Sequence, residues 1–129
     1  MINTITCNKD SVKVINKLFD LLTKPGLINL NAQDIENMTK YAKSITNQTV
    51  TIKEATKEAV EKSGILSDEL KKAHKYIINV TAGANLSLGD LDTIVGTIYS
   101  VNDGERIFAS LYDEYLTDEF TIDTFLVRL

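Results

Sequence analysis

"KYIINVTAGANLSLGDLDTIVGTIYSVND", Lys75 to Asp103, holds a change of period that decides the fold class. Tyr76 to Val80 is a continuous apolar run of strand length, the pattern of a central strand covered on both faces. Beyond the loop "TAGANLSLGD", Leu88, Leu91, Val95 and Ile98 return at helical spacing. Ser87 and Asp90 form a Ser-x-x-acid capping box, in which each side chain satisfies the other's backbone donor. A buried strand feeding a capped helix is the unit of an α/β sheet.

Reading outward, Arg106 to Tyr112 and Phe120 to Leu129 are strands joined by the acidic turn around Glu114 to Glu119, the spacing of a hairpin with a longish loop. Upstream, Ser67 caps a short helix running through His74. Thr51 and Glu54 make another capping box, opening a helix that buries Ile52, Ala55, Ala59 and Val60 and ends near Gly64. "KSITNQTV" has high β-propensity but few large apolar residues, so it reads as a weak or edge strand. A first helix runs from about Asn8 or Asp10 to Thr23, with Val12, Ile15, Leu18, Phe19 and Leu22 as its stripe, and Lys24-Pro25-Gly26 stops it. "GLINL" is an ordered connecting loop, and a second helix starts at Ala32 with Ile35, Met38, Thr39 and Ala42 on one face. The expectation is one α/β domain over residues 1–129: a two-layer, mixed four-stranded sheet with packed helices, preceded by a long N-terminal helix.

Composition narrows the partners. With 129 residues, 43% hydrophobic and 25% charged, the chain is an ordinary globular domain. A net charge of −4 argues against nucleic acid, which needs clustered Lys and Arg. Lys71, Lys72 and Lys75 share their helix with Asp68 and Glu69, a solvated face. The single cysteine, Cys7, makes no internal disulfide, which suits a reducing cytoplasm. No apolar run reaches the roughly 18 residues that cross a bilayer, so no membrane role is expected. "MINTITCNKD" lacks a signal pattern, so the Asn-x-Ser/Thr triplets at Asn37, Asn47, Asn79 and Asn85 are chance matches. His74 is the only histidine and has no Cys pair, which makes a metal site improbable. Asp113, Glu114, Asp118 and Glu119 are read as solvated turn charge.

Three stretches in order carry a family resemblance. "LFDLLTKPGLINLNAQDI" resembles the junction in FtsZ where the central helix passes into the catalytic synergy loop. "KYIINVTAGANLSLGDLDTIVGTIYSVND" resembles the strand, "NITGG-L-SL" loop and helix of the FtsZ C-terminal domain, and "RIFASLYDEYLTDEFTIDTFLV" resembles that domain's closing hairpin. The resemblance covers roughly Asn8 to Leu129. It implies a remnant of the central helix at 8–24, a synergy-loop-like segment at 25–34 and an α/β body at 35–129. It also implies an origin in the FtsZ/tubulin family of filament-forming GTPases, whose nucleotide is gripped by an N-terminal half and attacked with help from the next subunit's synergy loop. No Gly-rich phosphate loop occurs here, so as given the chain is expected not to be an enzyme and to hold no cofactor, with GTP only on a partner subunit. Lys9 falls where the family has an acid near the guanine ring.

The family's synergy loop reads Asn-x-Asp-x-x-Asp or Glu. Asn29 matches its Asn and Asp34 its second acid, but Asn31 stands where the first acid belongs. An amide accepts a hydrogen bond from water yet carries no charge and takes no proton, so activation in trans is expected to be weak. Read alone, Asn31 is a favoured N-cap and Asp34 a first-turn acid, which explains both without a ligand. The resemblance places Leu27, Ile28, Leu30 and Gln33 on the surface that docks on an FtsZ/tubulin-like subunit, self or other. The chain is then the activation domain of a filament-forming GTPase or, standing alone and lacking a tail after its last strand, a filament cap or modulator. The alternative is a small α/β ligand-binding or enzyme domain, with an anion held at the helix N-terminus by Thr81, Gly83, Asn85 and Ser87.

Overall fold

The computed structural model describes the backbone of residues 3–7 and 12–129 and the side chains from residue 13 onward. The expected first cap at Asn8 or Asp10 and the position of Lys9 lie outside the described residues, as do the side chains of Cys7 and Val12. The elements are β1 (Asn3–Cys7), α1 (Val12–Thr23), α2 (Ala32–Thr39), β2 (Ser44–Ile52), α3 (Lys57–Lys62), α4 (Asp68–Lys72), β3 (Lys75–Ala82), α5 (Leu88–Tyr99), β4 (Glu105–Tyr112) and β5 (Phe120–Arg128).

The apolar run reads correctly as a central strand. Tyr76, Ile77, Ile78 and Val80 are fully buried, with β4 parallel on one side of β3 and β5 antiparallel on the other. The mixed α/β sheet with packed helices is therefore present. The four expected strands run β2-β5-β3-β4, and β1 extends them outside β2 to five. Residues Asn3–Cys7 thus supply a strand, and β2 is interior rather than an edge. Its polar residues are buried because they are bonded. Gln48 Nε2 donates to Ser67 Oγ at 2.7 Å, and Asn47 Nδ2 donates to the Thr124 carbonyl at 3.1 Å.

Three further expectations change. First, β4 and β5 form no hairpin, because β3 lies between them. The turn 113–119 steps over that strand, a span of roughly 10 Å. Second, Thr51 opens no helix. It lies inside β2 opposite Thr121, and Thr56 caps α3 instead, its Oγ1 accepting from the Ala59 amide at 3.1 Å. Third, helices lie on both faces of the sheet, making three layers. One core gathers Val60, Ile65 and Leu70 with Leu91, Ile94, Val95 and Ile98 over one face. The other gathers Val14, Leu18, Leu21 and Met38 over Ile45, Ile77, Phe125 and Val127.

The α1 stripe is rotated from the expected one. Val14, Leu18 and Leu21 are buried, whereas Ile15 and Phe19 are 46% and 59% exposed. Two apolar stripes lie side by side on this helix, and a polar anchor selects between them. Lys17 Nζ, on the buried side, donates to Asn47 Oδ1 at 2.8 Å and Thr49 Oγ1 at 3.1 Å, and pairs with Asp123 Oδ1 at 3.3 Å. On α5 the expected Leu88 is likewise exposed, and Ile94 takes the buried place.

The far end of β3 is tied by Asn102. Its Nδ2 donates to the carbonyls of Leu70 (2.8 Å) and Ala73 (3.0 Å), and its Oδ1 accepts from the Gly104 amide at 2.8 Å. Its own carbonyl accepts from the Tyr76 hydroxyl and from Arg106 Nη1, whose guanidinium stacks 4.1 Å from the Tyr99 ring centroid.

Two outcomes follow from this packing. Leu21→Ala is expected to cost about 3 kcal/mol in urea unfolding, and Phe19→Ala less than about 0.5 kcal/mol; the reverse order would mean the wrong face of α1 has been assigned to the core. Burial raises the Tyr76 phenol above its ordinary value, against an opposing pull from Arg106. The folded pKa is the higher one, so this contribution to stability is complete below about pH 10 and decays as pH rises through the folded value. Tyr76→Phe should make the alkaline fall in unfolding free energy shallower.

Candidate functional site

Between α1 and α2 the chain runs along the outer edge of β4. Tyr112 N donates to the Pro25 carbonyl (2.9 Å) and Ser110 N to the Ile28 carbonyl (2.8 Å), while Ile28 N returns to the Ser110 carbonyl (3.4 Å). This bridge makes residues 25–28 a short antiparallel cover on the sheet edge. Burial then alternates as in a strand. Leu27, Asn29 and Asn31 face outward, Leu27 at 55% exposure, whereas Ile28 packs on one core and Leu30 on the other. Asn29 Nδ2 ties the bend by donating to the Lys24 carbonyl at 2.9 Å.

The capping reading of Asn31 and Asp34 is realised atom for atom. Asp34 N donates to Asn31 Oδ1 at 2.9 Å, and Asn31 N donates to Asp34 Oδ2 at 3.0 Å. Gln33 is exposed on the first turn, its Nε2 donating to Asn37 Oδ1 at 2.8 Å. The outward surface is thus Leu27, Asn29, Asn31 and Gln33, and the expected contact residues Ile28 and Leu30 serve as its inward anchors.

The residues of the expected anion loop do not converge. Thr81 Oγ1 accepts from Asn79 Nδ2 at 2.9 Å on the α1 side of the sheet. Ser87 Oγ accepts from Asp90 N at 3.0 Å, and Asp90 Oδ2 accepts from Ser87 N at 3.2 Å, so a carboxylate of the chain already sits at the start of α5. Asn85 is exposed. Gly83 has its own reason to be glycine: a Cβ there would lie 1.9 Å from the Leu116 carbonyl oxygen.

A cleft of about 530 Å³ opens between α1 and the sheet, lined by Lys17, Asp20, Lys24, Asn79, Thr81 and Asp123 among others. Asn79 is 2% exposed and its Oδ1 has no partner among the described residues. Lys17 and Asp123 carry no expectation from the sequence, and Asn79 enters there only as a chance Asn-x-Thr match. Their signal is a polar residue at an inward position of an apolar strand or helix, visible in "YIINV" and "TIDTF". His74 Nδ1 accepts from the Leu129 amide at 3.1 Å, and Asp113 Oδ1 accepts from Tyr115 N at 3.0 Å. Among the described residues no group of three or more His, Cys, Asp or Glu is placed to hold a metal, and no helix is long and apolar enough to cross a membrane.

No protein-family model matches the chain. The cell division protein FtsZ of Magnetospirillum gryphiswaldense is 32% identical over 111 residues, which are 80% of this chain and 20% of that protein. FtsZ of Buchnera aphidicola (subsp. Baizongia pistaciae) is 28% identical over 126 residues, 91% of this chain and 32% of its own length. The likeness is to FtsZ.

Solved structures agree on the fold. An empty FtsZ dimer from M. jannaschii superposes with a TM-score of 0.74 at 23% identity, covering 88% of this chain and 35% of that one. TubZ of Bacillus thuringiensis serovar israelensis, from its GDP-form protofilaments, gives 0.60 at 13% identity over 89% of this chain and 33% of its own. The chain is FtsZ-like in sequence, shares its fold with FtsZ and TubZ, and spans only a fifth to a third of the curated FtsZ proteins it matches. In this FtsZ-like chain the segment 25–34 is first of all a structural cap. Asn31→Ala should therefore lower the unfolding free energy by about 1 kcal/mol, and Asn31→Asp should leave it within about 0.5 kcal/mol. Equal losses in both variants would contradict the box.

Proposed function

We propose that this chain acts by protein contact, docking the outward face of residues 27–34 on the nucleotide-bearing face of another FtsZ-type subunit in the cytoplasm. The observation that carries the reading is the loop itself. Its backbone is bonded to β4, its even-numbered apolar residues are anchored in two cores, and Leu27, Asn29 and Asn31 are left with outward-facing side chains. An outward face of Leu27, Asn29 and Asn31 whose backbone is already ordered by β4 loses little conformational freedom on docking, which suits recognition of a second molecule. Likeness to proteins described as a dimer and as protofilaments supports association as the mode of action.

The chemistry at such a contact is positioning of the water that attacks a phosphate held by the partner. The GTP belongs to that partner, and no cofactor is assigned to this chain. Asn29 and Asn31 orient water through amides without abstracting a proton, and Asp34 is the one carboxylate of the segment, already bonded to the Asn31 amide. Activation in trans is accordingly weak. Joined to a nucleotide-bearing half, the domain propagates a filament; added alone to whole subunits, it occupies one face and stops growth. The anion-binding alternative draws no support from Ser87, whose helix start is closed by Asp90.

Light scattering of FtsZ assembling with GTP, with and without an equimolar amount of this chain, tests the reading. Assembly and GTP turnover should fall, Leu27→Glu should abolish the effect, and Asn31→Asp should raise turnover above that with the unaltered chain. Assembly unchanged by the chain would sink the proposal.

A further inference from the structure

We infer that Gly26 is the positioning residue of the docking loop, a role that rests on the contact proposed above. An ideal Cβ at Gly26 would stand 1.8 Å from the Ser110 carbonyl oxygen, 2.7 Å from its carbon and 2.8 Å from Leu111 Cα. All three are backbone atoms of β4, which is paired along its whole length with β3, so none can swing aside as a side chain would. The positive-φ glycine among the described residues is Gly64; Gly26 adopts no such angle. Gly26 is therefore required for space alone.

That close approach is what lets the loop join the sheet. The bonds from Tyr112 N to Pro25 O and from Ser110 N to Ile28 O bracket Gly26, one on each side. A methyl group at 26 must lift the segment by roughly 1.5 Å to reach van der Waals separation, which breaks both bonds. The displaced residues are the ones that make the outward face, and misplacement by about 1 Å is enough to spoil positioning chemistry. Ile28 and Leu30 pack against the two cores only as partly buried margin residues, so the loop can lift while the fully buried residues of β3 keep their packing.

Hydrogen exchange and binding, read together, test the inference. In Gly26→Ala the amides of Ser110 and Tyr112 should exchange at least about tenfold faster while those of Ile78 and Val80 in β3 keep their rates. Binding to an FtsZ-type subunit should weaken by about tenfold. Gly96→Ala, where an added Cβ meets nothing within 4 Å, should alter neither. Should Gly26→Ala unfold the chain, Ile28→Pro serves in its place, because it removes the amide that donates to the Ser110 carbonyl and leaves Gly26 intact. Unchanged exchange at Ser110 and Tyr112, or faster exchange with binding intact, overturns the role of Gly26. Failure of the unaltered chain to bind overturns the proposed docking instead, and the exchange rates still decide whether Gly26 holds the loop.

Discussion

Tyr76 to Val80 cannot face water on either side, and most of the architecture follows from hiding that strand. Burial of both faces demands a helical layer above and below, and α1 with α2 and α3 with α4 and α5 provide them. Its two edges need strands as well. The crossover through α5 delivers β4 parallel to β3, as a helical connection must. The remaining edge is taken by β5, which reaches it only by stepping past β3. That step leaves the far edge of β4 without a strand, and residues 25–28 close it. The course of residues 25–28 is thus a consequence of how the core is ordered, and it is bonded to the most buried strand through a single intervening one.

A second constraint is electrostatic. Lys17 lies against a sheet face that offers Asn47, Thr49 and Asp123, and its side chain, 39% exposed, reaches all three. These bonds form only in the rotation of α1 that turns Lys17 toward the sheet, so they favour that rotation. Hydrophobicity alone would not choose between a Val14–Leu18–Leu21 stripe and an Ile15–Phe19–Leu22 stripe. The cation chooses, and the cost is an apolar strip left outside.

Local patterns made much of this legible. The central strand, the Ser87–Asp90 box and the Asn31 and Ser67 caps are written in contiguous residues, and each is realised in the structure, where Asp34 also bonds back to the Asn31 amide. What escaped was set by contacts distant in sequence. The Thr51–Glu54 pattern was overruled because β2 continues pairing with β5 through Ile52 opposite Phe120. The hairpin reading failed because chain neighbours 105–128 leave room for a strand from elsewhere between them. β2 was underrated because its Asn and Gln side chains find partners 19 and 77 positions away, which no local window contains. At the candidate site the residue types were readable, but the outward and inward alternation of Leu27 to Asn31 depends on the bonds to β4.

Asn31 shows how stability and chemistry separate at one position. Asn and Asp cap a helix about equally well, because either side chain presents an oxygen to the amide three residues on. Folding therefore places little demand for an amide over a carboxylate at this point, since the amide of Asp34 needs only an oxygen acceptor. The difference lies in charge on the outward face. A carboxylate at 31 would stand beside Asp34 across the shared cap, concentrating two anions on one turn. With the amide, the outward row of Leu27, Asn29 and Asn31 is uncharged and Asp34 is half-buried behind it. Under the docking proposed above, such a surface would keep the shape and hydrogen bonds that give affinity and lose the negative charge that phosphoryl transfer needs. One loop geometry is thus compatible with binding without activation, because the cap fixes the backbone and leaves the charge at 31 free to vary.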